Sequence, residues 1–138
     1  MIAEIPTGLI HATAVAVHGS GLLITGPSGS GKSGLALQLV ALGADLVSDD
    51  QVLVQQNGAQ ITLHTAPNLA NKIEARHFGI LNCPTISQAP LALVLSLADA
   101  PEQRLPQPRK IPVGTRKIDF ISGKNVPNLA SAVLLYLR

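Results

Sequence analysis

Four residues near the start of the chain, Gly26, Gly31, Lys32 and Ser33, occupy the fixed positions of the phosphate-binding pattern G-x-x-x-x-G-K-[ST]. Glycine lets the backbone of such a loop curl so that its N–H groups face an anion, and the following helix adds its positive end. The lysine then contacts the β- and γ-phosphates of a nucleotide, and the serine hydroxyl ligates Mg²⁺. The pattern predicts that the phosphate loop (residues 26–33) binds a nucleotide through Gly26, Pro27, Ser28, Gly29, Ser30, Gly31, Lys32 and Ser33.

The residues on either side of the phosphate loop predict the elements that it needs. The apolar run at residues 22–25 is typical of a buried strand. Residues 35–40 are mostly good helix formers, and Gly43 is suited to a left-handed C-terminal cap. Strand, loop and helix in this order favour a phosphate-binding loop over a Gly/Ser-rich surface turn that matches by accident.

A phosphate loop also needs a carboxylate for its metal, and the sequence offers two candidates. One is the pair Asp49 and Asp50, after a short strand; the other is Asp99, after the apolar run at residues 91–97. In most phosphate-loop hydrolases the metal-positioning aspartate follows an apolar strand, as Asp99 does here. However, Asp99 lies in a proline-flanked turn, where aspartate is common for its turn-forming properties alone. We favour the pair, because side chains alternate along a strand and one carboxylate can approach the metal while the other faces a substrate hydroxyl. The alternative for the pair is a solvated turn before a hairpin.

The composition predicts one domain over residues 1–138, with an aliphatic core. Hydrophobic residues make up 46% of the chain and aromatic residues only 2%. Charged residues are 13%, about half the usual share, which indicates that another subunit covers part of the surface. The net charge of +2 is too small to favour nucleic acid as a partner.

Cysteine and hydropathy narrow the class of protein further. Cys83 is the only cysteine, which excludes a disulfide framework and a cysteine metal cluster. The start of the chain lacks the basic region of a signal peptide, and no apolar run has the length of a membrane span. We therefore expect a reduced, soluble, cytoplasmic protein.

The order of predicted elements indicates an α/β domain with a mixed β-sheet around the phosphate loop. Residues 9–18 contain no strand breaker and predict one strand, which residues 19–21 turn into the strand before the loop. Asn57-Gly58 predicts a hairpin of residues 51–56 and 60–64. Residues 91–97 are apolar on both faces, which favours a central strand.

Towards the end of the chain the pattern is weaker. Residues 118–121 predict a last strand, and Asn125 or Asn128 is expected to cap a final helix that runs to Leu137. Residues 100–116 hold four prolines and predict an irregular surface segment, with or without a short edge strand. Residues 67–72 stay open between a helical turn and a loop, and residues 73–80 between an extended and a looped segment.

Several separated motifs together resemble the C-terminal catalytic domain of HPr kinase/phosphorylase, the bifunctional serine protein kinase of bacterial sugar-transport regulation. The similar positions are His11, the phosphate loop, the acidic pair and residues 73–82. That last segment, Ile-Glu-Ala-Arg-His-Phe-Gly-Ile-Leu-Asn, is similar to the family signature Glu-x-Arg-Gly-x-Gly, two aliphatic residues and Asn or Asp. A weaker match lies at residues 102–105. The resemblance covers residues 9–105 and is to a short form without the N-terminal domain of longer members.

The resemblance implies a fold of the HPr kinase and phosphoenolpyruvate-carboxykinase kind and an ATP- and Mg²⁺-dependent serine kinase. Its acceptor would be HPr or an HPr-like phosphocarrier, and the protein would form a homo-oligomer, a hexamer in the family. No nucleic acid and no membrane is expected as a partner.

The resemblance also implies roles for the matching residues. Asp50 would accept the serine proton and return it in the reverse reaction, and Asp49, the other member of the pair, is included among the catalytic residues. Lys32 would hold the β- and γ-phosphates, and Ser33 with Glu74 would ligate the metal. His11 and Arg104 match positions that are regarded as catalytic in the family. Arg76 lies within residues 73–82, the segment that the family links to both the kinase and the phosphorylase activity.

Each of these residues also has a plain structural alternative. His11 on an apolar strand could be a core histidine, Glu74 and Arg76 could form an ion pair, and Arg104 could be a solvated loop cation. The chain departs from the family at Gly34, where a glutamate is usual, and at Pro27, where aspartate is usual. His77-Phe78 also replaces Gly-Leu, and the C-terminal end is only faintly similar.

Two rival functions therefore stay open. One is a kinase for a small hydroxylated molecule, which would need a pocket for its acceptor. The other is a nucleotide-sensing module that binds ATP without transferring phosphate.

Overall fold

The computed structural model describes residues 4–67 and 72–138 of the chain. These residues contain eleven strands and two helices. The strands are β1 (Gly8–His11), β2 (Thr13–Val17), β3 (Ser20–Thr25), β4 (Asp45–Ser48), β5 (Gln51–Asn57), β6 (Gln60–Thr65), β7 (Lys72–Ala75), β8 (Gly79–Asn82), β9 (Gln88–Ser96), β10 (Arg109–Val113) and β11 (Arg116–Ser122). The helices are α1 (Lys32–Ala41) and α2 (Leu129–Tyr136). None of the helices in the described residues has the length and apolar character of a membrane span.

Nine strands form one mixed sheet that is centred on β9. The order is β1-β5-β6-β9-β3-β2-β4, with β11 also paired to β9 and β10 paired to β11. The first residues of β9 pair antiparallel with β6, and its later residues pair parallel with β3 and with β11. The predicted α/β class, the mixed sheet and the central place of residues 91–97 are confirmed. The parallel pairing also brings the carboxyl ends of β3, β9 and β11 to the same edge of the sheet.

Two cores, one on each face of the sheet, explain why the central strands are apolar on both sides. On one face α1 and α2 cover a cluster that includes Leu22, Ile24 and Leu95. The alternate residues Leu23 and Val94 point into the other cluster. With both faces buried, the strand before the phosphate loop is held firmly in place.

The strand predicted over residues 9–18 is wrong as a single element, because the chain changes pairing partners at Ala12. β1 pairs with β5, whereas β2 pairs with β3 and β4. The N–H of Ala12 donates to the carbonyl of Asp50 over 3.2 Å and so joins neither ladder. No glycine or proline marks this break, since long-range pairing causes it. The turn that follows is also tighter than predicted, with His18 and Gly19 at positive φ and β3 starting at Ser20.

The structure also decides most of the remaining predictions and open segments. The Asn57-Gly58 hairpin is confirmed as β5 and β6. Residues 73–80 lie mostly in a second hairpin, β7 and β8, with a turn at residues 76–78. β10 is the short strand within residues 100–116, and it pairs with β11. Asn128, not Asn125, precedes the final helix, although its side chain makes no capping hydrogen bond. Of residues 67–72, whose conformation the sequence leaves open, Pro67 lies in a turn and Lys72 begins β7, and residues 68–71 lie outside the described residues.

Candidate active site

The phosphate loop lies where the sequence predicts it, between the end of β3 at Thr25 and the start of α1 at Lys32. Gly26, Gly29 and Gly31 all have positive φ, at 148°, 82° and 102°. A side chain on Gly26 would also meet the Ser30 hydroxyl, 2.6 Å from the added Cβ. The positive φ explains glycine at all three positions, and the close contact is a second reason for glycine at position 26. The predicted order of strand, loop and helix is confirmed, and nucleotide binding by the loop stays a prediction.

The side chain of Lys32 folds back onto the phosphate loop. Its side chain is buried, and its ammonium group donates to the carbonyls of Gly26 and Pro27 over 2.9 and 3.2 Å. The Ser30 hydroxyl oxygen is buried in the same loop and has no hydrogen-bond partner in the described structure. Buried polar atoms normally have a partner. A phosphate in the loop would accept a hydrogen bond from the Ser30 hydroxyl and would replace the two carbonyls as the partner of Lys32.

Asp49 connects the end of β4 to the phosphate loop. Its Oδ1 accepts hydrogen bonds from the Ser33 hydroxyl (2.8 Å), the Thr13 hydroxyl (2.9 Å) and the N–H of Asp50 (3.0 Å). A half-buried carboxylate with three donors is not the solvated turn residue of the alternative interpretation. Ser33 and Asp49 bring together the hard oxygen atoms that Mg²⁺ prefers.

Asp50 faces away from this network. The backbone turns at residues 49–50, Asp50 has φ of 71°, and its side chain is 73% exposed. Its Oδ1 lies 3.6 Å from Nδ1 of His11, whose side chain is 55% exposed. The core-histidine alternative for His11 is therefore wrong. The turn separates two adjacent carboxylates, so that one contacts the loop serine and the other contacts solvent beside a histidine.

Three predicted site residues lie outside this cluster. Glu74 is an exposed residue of β7, which packs against α1, and Arg76 is exposed in the turn after β7. The described ion pairs do not include one between these two residues. Arg104 is exposed in the irregular segment between β9 and β10. Their catalytic or metal-binding roles stay predictions.

The described residues contain no group of three or more His, Cys, Asp or Glu side chains that could hold a metal ion. A metal bound to Ser33 and Asp49 would therefore need further ligands from a nucleotide or from water. Asp99, the rival metal carboxylate, lies after β9, and its carbonyl accepts the N–H of Lys124 over 3.2 Å. It lines a cavity formed with residues 100–103, 106–109 and 119–122 and with Tyr136, which is separate from the cavity that residues 27–31 line.

Sequence reasoning missed Thr13, which is fully buried on β2 and holds Asp49. The available signal was a lone hydroxyl residue within an apolar strand. It also missed that the charge of Asp49 acts on Cys83. Burial raises the pKa of the Cys83 thiol above its usual value, and the charge of Asp49 raises this pKa further. The thiol is therefore protonated at neutral pH.

A third missed feature is the turn at residues 123–126, which follows β11. Together with the phosphate loop and residues 97–98 it lines a cavity of about 580 Å³, here called the loop cavity. The signal in the sequence was a group of polar residues directly after the last predicted strand.

Comparison with known proteins gives one consistent result. The family model described as the HPr serine kinase C-terminal domain matches residues 5–90. The chain is 42% identical over 82 residues to the HPr kinase/phosphorylase of Bacillus cereus (strain B4264). The same identity is found for the protein of that name from Bacillus anthracis (strain A0248) and from Bacillus thuringiensis subsp. konkukian (strain 97-27). Each match covers 59% of this chain but only 26% of the relative.

Among solved structures, the chain is similar to the Hpr(Ser) kinase/phosphatase from Coxiella burnetii. The TM-score is 0.76 at 23% identity, and the match covers 93% of this chain and 88% of the other. This likeness supports the fold. His11, the phosphate loop, the acidic pair, Glu74 and Arg76 lie within the residues matched by the family model, whereas Arg104 and the turn at residues 123–126 lie beyond them.

Proposed function

The chain belongs to the HPr serine kinase C-terminal domain family, and on that premise we propose that it is a cytoplasmic, ATP- and Mg²⁺-dependent serine kinase. Its acceptor is a serine of HPr or of an HPr-like phosphocarrier of the bacterial phosphotransferase system. The observation that carries this proposal is the divergence of Asp49 and Asp50 at the phosphate loop. One carboxylate serves the loop, and the other is open to a protein that arrives from solvent.

Binding of the donor belongs to the phosphate loop and Asp49. The N–H groups of the loop and the start of α1 favour the phosphates. The Lys32 ammonium exchanges the carbonyls of Gly26 and Pro27 for phosphate oxygens. Ser33 and Asp49 would hold Mg²⁺, with Glu74 as the further predicted ligand. Bound Mg²⁺ supplies positive charge at the phosphate oxygens.

Proton transfer belongs to Asp50. As the acceptor serine oxygen forms its bond to the γ-phosphorus, the bond from that phosphorus to the β–γ bridging oxygen breaks and ADP leaves. Asp50 takes the serine proton as general base. His11 lies beside this carboxylate and, when protonated, attracts and orients it. In the reverse direction Asp50 returns the proton to the serine oxygen.

The exposure of Asp50 favours a protein acceptor over a small molecule. This residue lines neither the loop cavity nor the cavity beside residues 99–109. A small hydroxylated substrate would need walls around its reacting oxygen, whereas a protein substrate brings its own surface to an open carboxylate.

The test is incubation of the purified protein with labelled ATP, Mg²⁺ and the phosphocarrier proteins of its host. We expect label on one carrier serine and none on a carrier with that serine replaced by alanine. Lys32→Ala should abolish both ATP binding and transfer, because it removes a charge-assisted contact to the phosphates. Tight ATP binding without label on any carrier would instead favour the nucleotide-sensing module.

A further inference from the structure

The loop cavity continues the phosphate loop towards the C-terminal part of the chain. Its volume of about 580 Å³ lies within the range of roughly 300 to 1,000 Å³ that small-molecule sites occupy. Residues 27–31 form one wall, and residues 97–98, the turn at residues 123–126 and Leu129 form the other. A ligand whose phosphates lie in the phosphate loop would place the rest of its structure here.

The topology of the sheet explains why the cavity lies at this place. β3, β9 and β11 are parallel, and the segment after each of them lines the cavity. In open α/β sheets, ligands bind outside the carboxyl ends of parallel strands. The turn after β11 is thus placed opposite the loop after β3, with residues 97–98 between them.

Two backbone hydrogen bonds hold the turn at residues 123–126 in this position, and a third closes the turn itself. Gly123 donates to Ser96 over 2.8 Å, Lys124 donates to Asp99 over 3.2 Å, and Val126 donates to Gly123 over 3.2 Å. A side chain on Gly123 would approach Leu95 to 2.8 Å, so glycine allows the turn to pack directly on β9. The turn is therefore a preformed wall of the cavity.

The lining of the cavity has the chemistry that a nucleoside needs. Leu97, Val126 and Leu129 offer apolar surface for one face of a base. The exposed side chain of Asn125 carries both hydrogen-bond donors and an acceptor. Lys124 is the cation of this wall, and none of the described residues that line the cavity is acidic. An anionic ligand with a flat, polar-edged ring system fits these properties.

We propose that the turn at residues 123–126 binds the nucleoside of a nucleoside triphosphate, with Asn125 as a hydrogen-bonding residue and Val126 as an apolar contact to the base. This inference rests on the proposed function, because it assumes that the phosphates lie in residues 26–33. It extends the donor site to a segment that lies outside the residues 5–90 matched by the family model.

The experiment compares two probes by calorimetry in the presence of Mg²⁺, namely ATP and tripolyphosphate, which lacks the nucleoside. The unmodified protein should bind ATP more tightly. Asn125→Gly keeps the left-handed backbone (φ 63°) and removes the amide, and we expect about a fivefold loss of ATP affinity for one hydrogen bond. Val126→Trp should fill the cavity and weaken ATP by about tenfold or more. Tripolyphosphate affinity should stay within about twofold for both variants, which also shows that the phosphate loop is still folded.

Asn128→Gly is the matched control. Asn128 also has a left-handed backbone (φ 57°), makes no capping hydrogen bond and does not line the cavity, so neither probe should be affected. Equal affinity of the unmodified protein for ATP and tripolyphosphate would overturn the inference and leave phosphate binding intact. An ATP preference that survives both variants would overturn it too, because the nucleoside would then lie elsewhere. Binding of neither probe would overturn the inference together with the proposed function, whereas failure of transfer alone would affect only the latter.

Discussion

Asp49 and Asp50 are adjacent in the sequence, yet their side chains have opposite surroundings. Asp49 accepts three hydrogen bonds on one oxygen, from the loop serine, from a buried threonine and from the backbone. Asp50 is exposed beside His11. A metal ligand and a general base need this difference, because the first must be fixed near the phosphates and the second must be reachable by the acceptor.

The first prediction concerns the general base. Asp50→Asn keeps the size of the side chain and tolerates a left-handed backbone, so ATP affinity should change little. The rate of transfer should fall roughly a hundredfold or more, because the amide does not accept the serine proton. Asp99→Asn is the control and should leave both quantities close to normal. If Asp99→Asn abolishes transfer and Asp50→Asn does not, the assignment of the base is wrong.

The second prediction concerns the metal. Asp49→Asn and Glu74→Gln each remove a negative charge. Both should raise the Mg²⁺ concentration that gives half-maximal activity, and they should raise the half-maximal ATP concentration less. The effect of Asp49→Asn should be the larger of the two, because Asp49 contacts Ser33 and Glu74 is an exposed residue of β7. Activity is to be measured in Mg²⁺ and ATP titrations. An unchanged Mg²⁺ requirement in Glu74→Gln would remove Glu74 from the predicted metal ligands.

The C-terminal helix α2 is linked to the edge of the sheet by one carboxylate. Asp119 of β11 accepts from Lys110 of β10 (2.9 Å) and from the hydroxyl of Tyr136 on α2 (3.0 Å). The hydrogen bond from Lys110 and then that from Tyr136 lower the pKa of Asp119 below its usual value. Burial raises the pKa of Tyr136, and its bond to Asp119 raises it further. Strands β10 and β11 and helix α2 thus meet at one ionised group.

The third prediction follows from the lowered pKa of Asp119. A carboxyl group with a lower pKa in the folded state stabilises the fold above its unfolded pKa of about 3.9, and this contribution is lost as pH falls through the folded value. Asp119→Asn should lower the free energy of unfolding at pH 7 by about 0.2 to 1 kcal/mol, since the pair is exposed and screened.

Urea denaturation at pH 7 and at about pH 3 measures this difference. The difference in unfolding free energy between Asp119→Asn and the unmodified protein should be smaller at the lower pH and in high salt. Gln103→Ala, which changes an exposed uncharged residue in the irregular segment before β10, is the control and should leave the pH dependence of the unfolding free energy unchanged. A difference between Asp119→Asn and the unmodified protein that stays constant with pH would contradict the prediction.

Large apolar side chains lie exposed on several parts of the molecule, in keeping with the low share of charged residues. Among the residues that the structure describes, those that are at least half exposed are Leu9, Leu42, Phe78, Ile80, Leu105, Leu135 and Tyr136. Phe78 and Ile80 share the β7–β8 hairpin, with exposures of 80% and 69%. Neighbouring apolar residues that are exposed on one hairpin are typical of a surface that another subunit covers.

The fourth prediction is that the protein self-associates, as its resemblance to a hexameric family also implies. Sedimentation velocity at micromolar concentration should show an oligomer. Phe78→Asp should shift it towards monomer, because a charge in a covered apolar surface is costly. Lys117→Ala, on an exposed position of β11, should leave the assembly unchanged. A monomer in the unmodified protein would contradict the prediction without bearing on catalysis.

Local sequence was sufficient for the features that depend on neighbouring residues. The phosphate loop is determined by glycines with positive φ between an apolar strand and a helix, and the Asn57-Gly58 hairpin by its turn residues. The central place of β9 followed from a run that is apolar on both faces. Each of these properties is set within a few residues, so the sequence alone determined them, and with them the fold class and the family.

Only the tertiary structure decided which distant groups meet. The break at Ala12 comes from pairing with different strands, and no residue type marks it. Which aspartate contacts Ser33 depends on a turn at residues 49–50 and on Thr13, a residue 36 positions from Asp49. The wall opposite the phosphate loop comes from residues 123–126, because β11 pairs parallel with β9. Such contacts depend on strand order and register, which sum interactions over the whole chain, and local patterns do not contain that information.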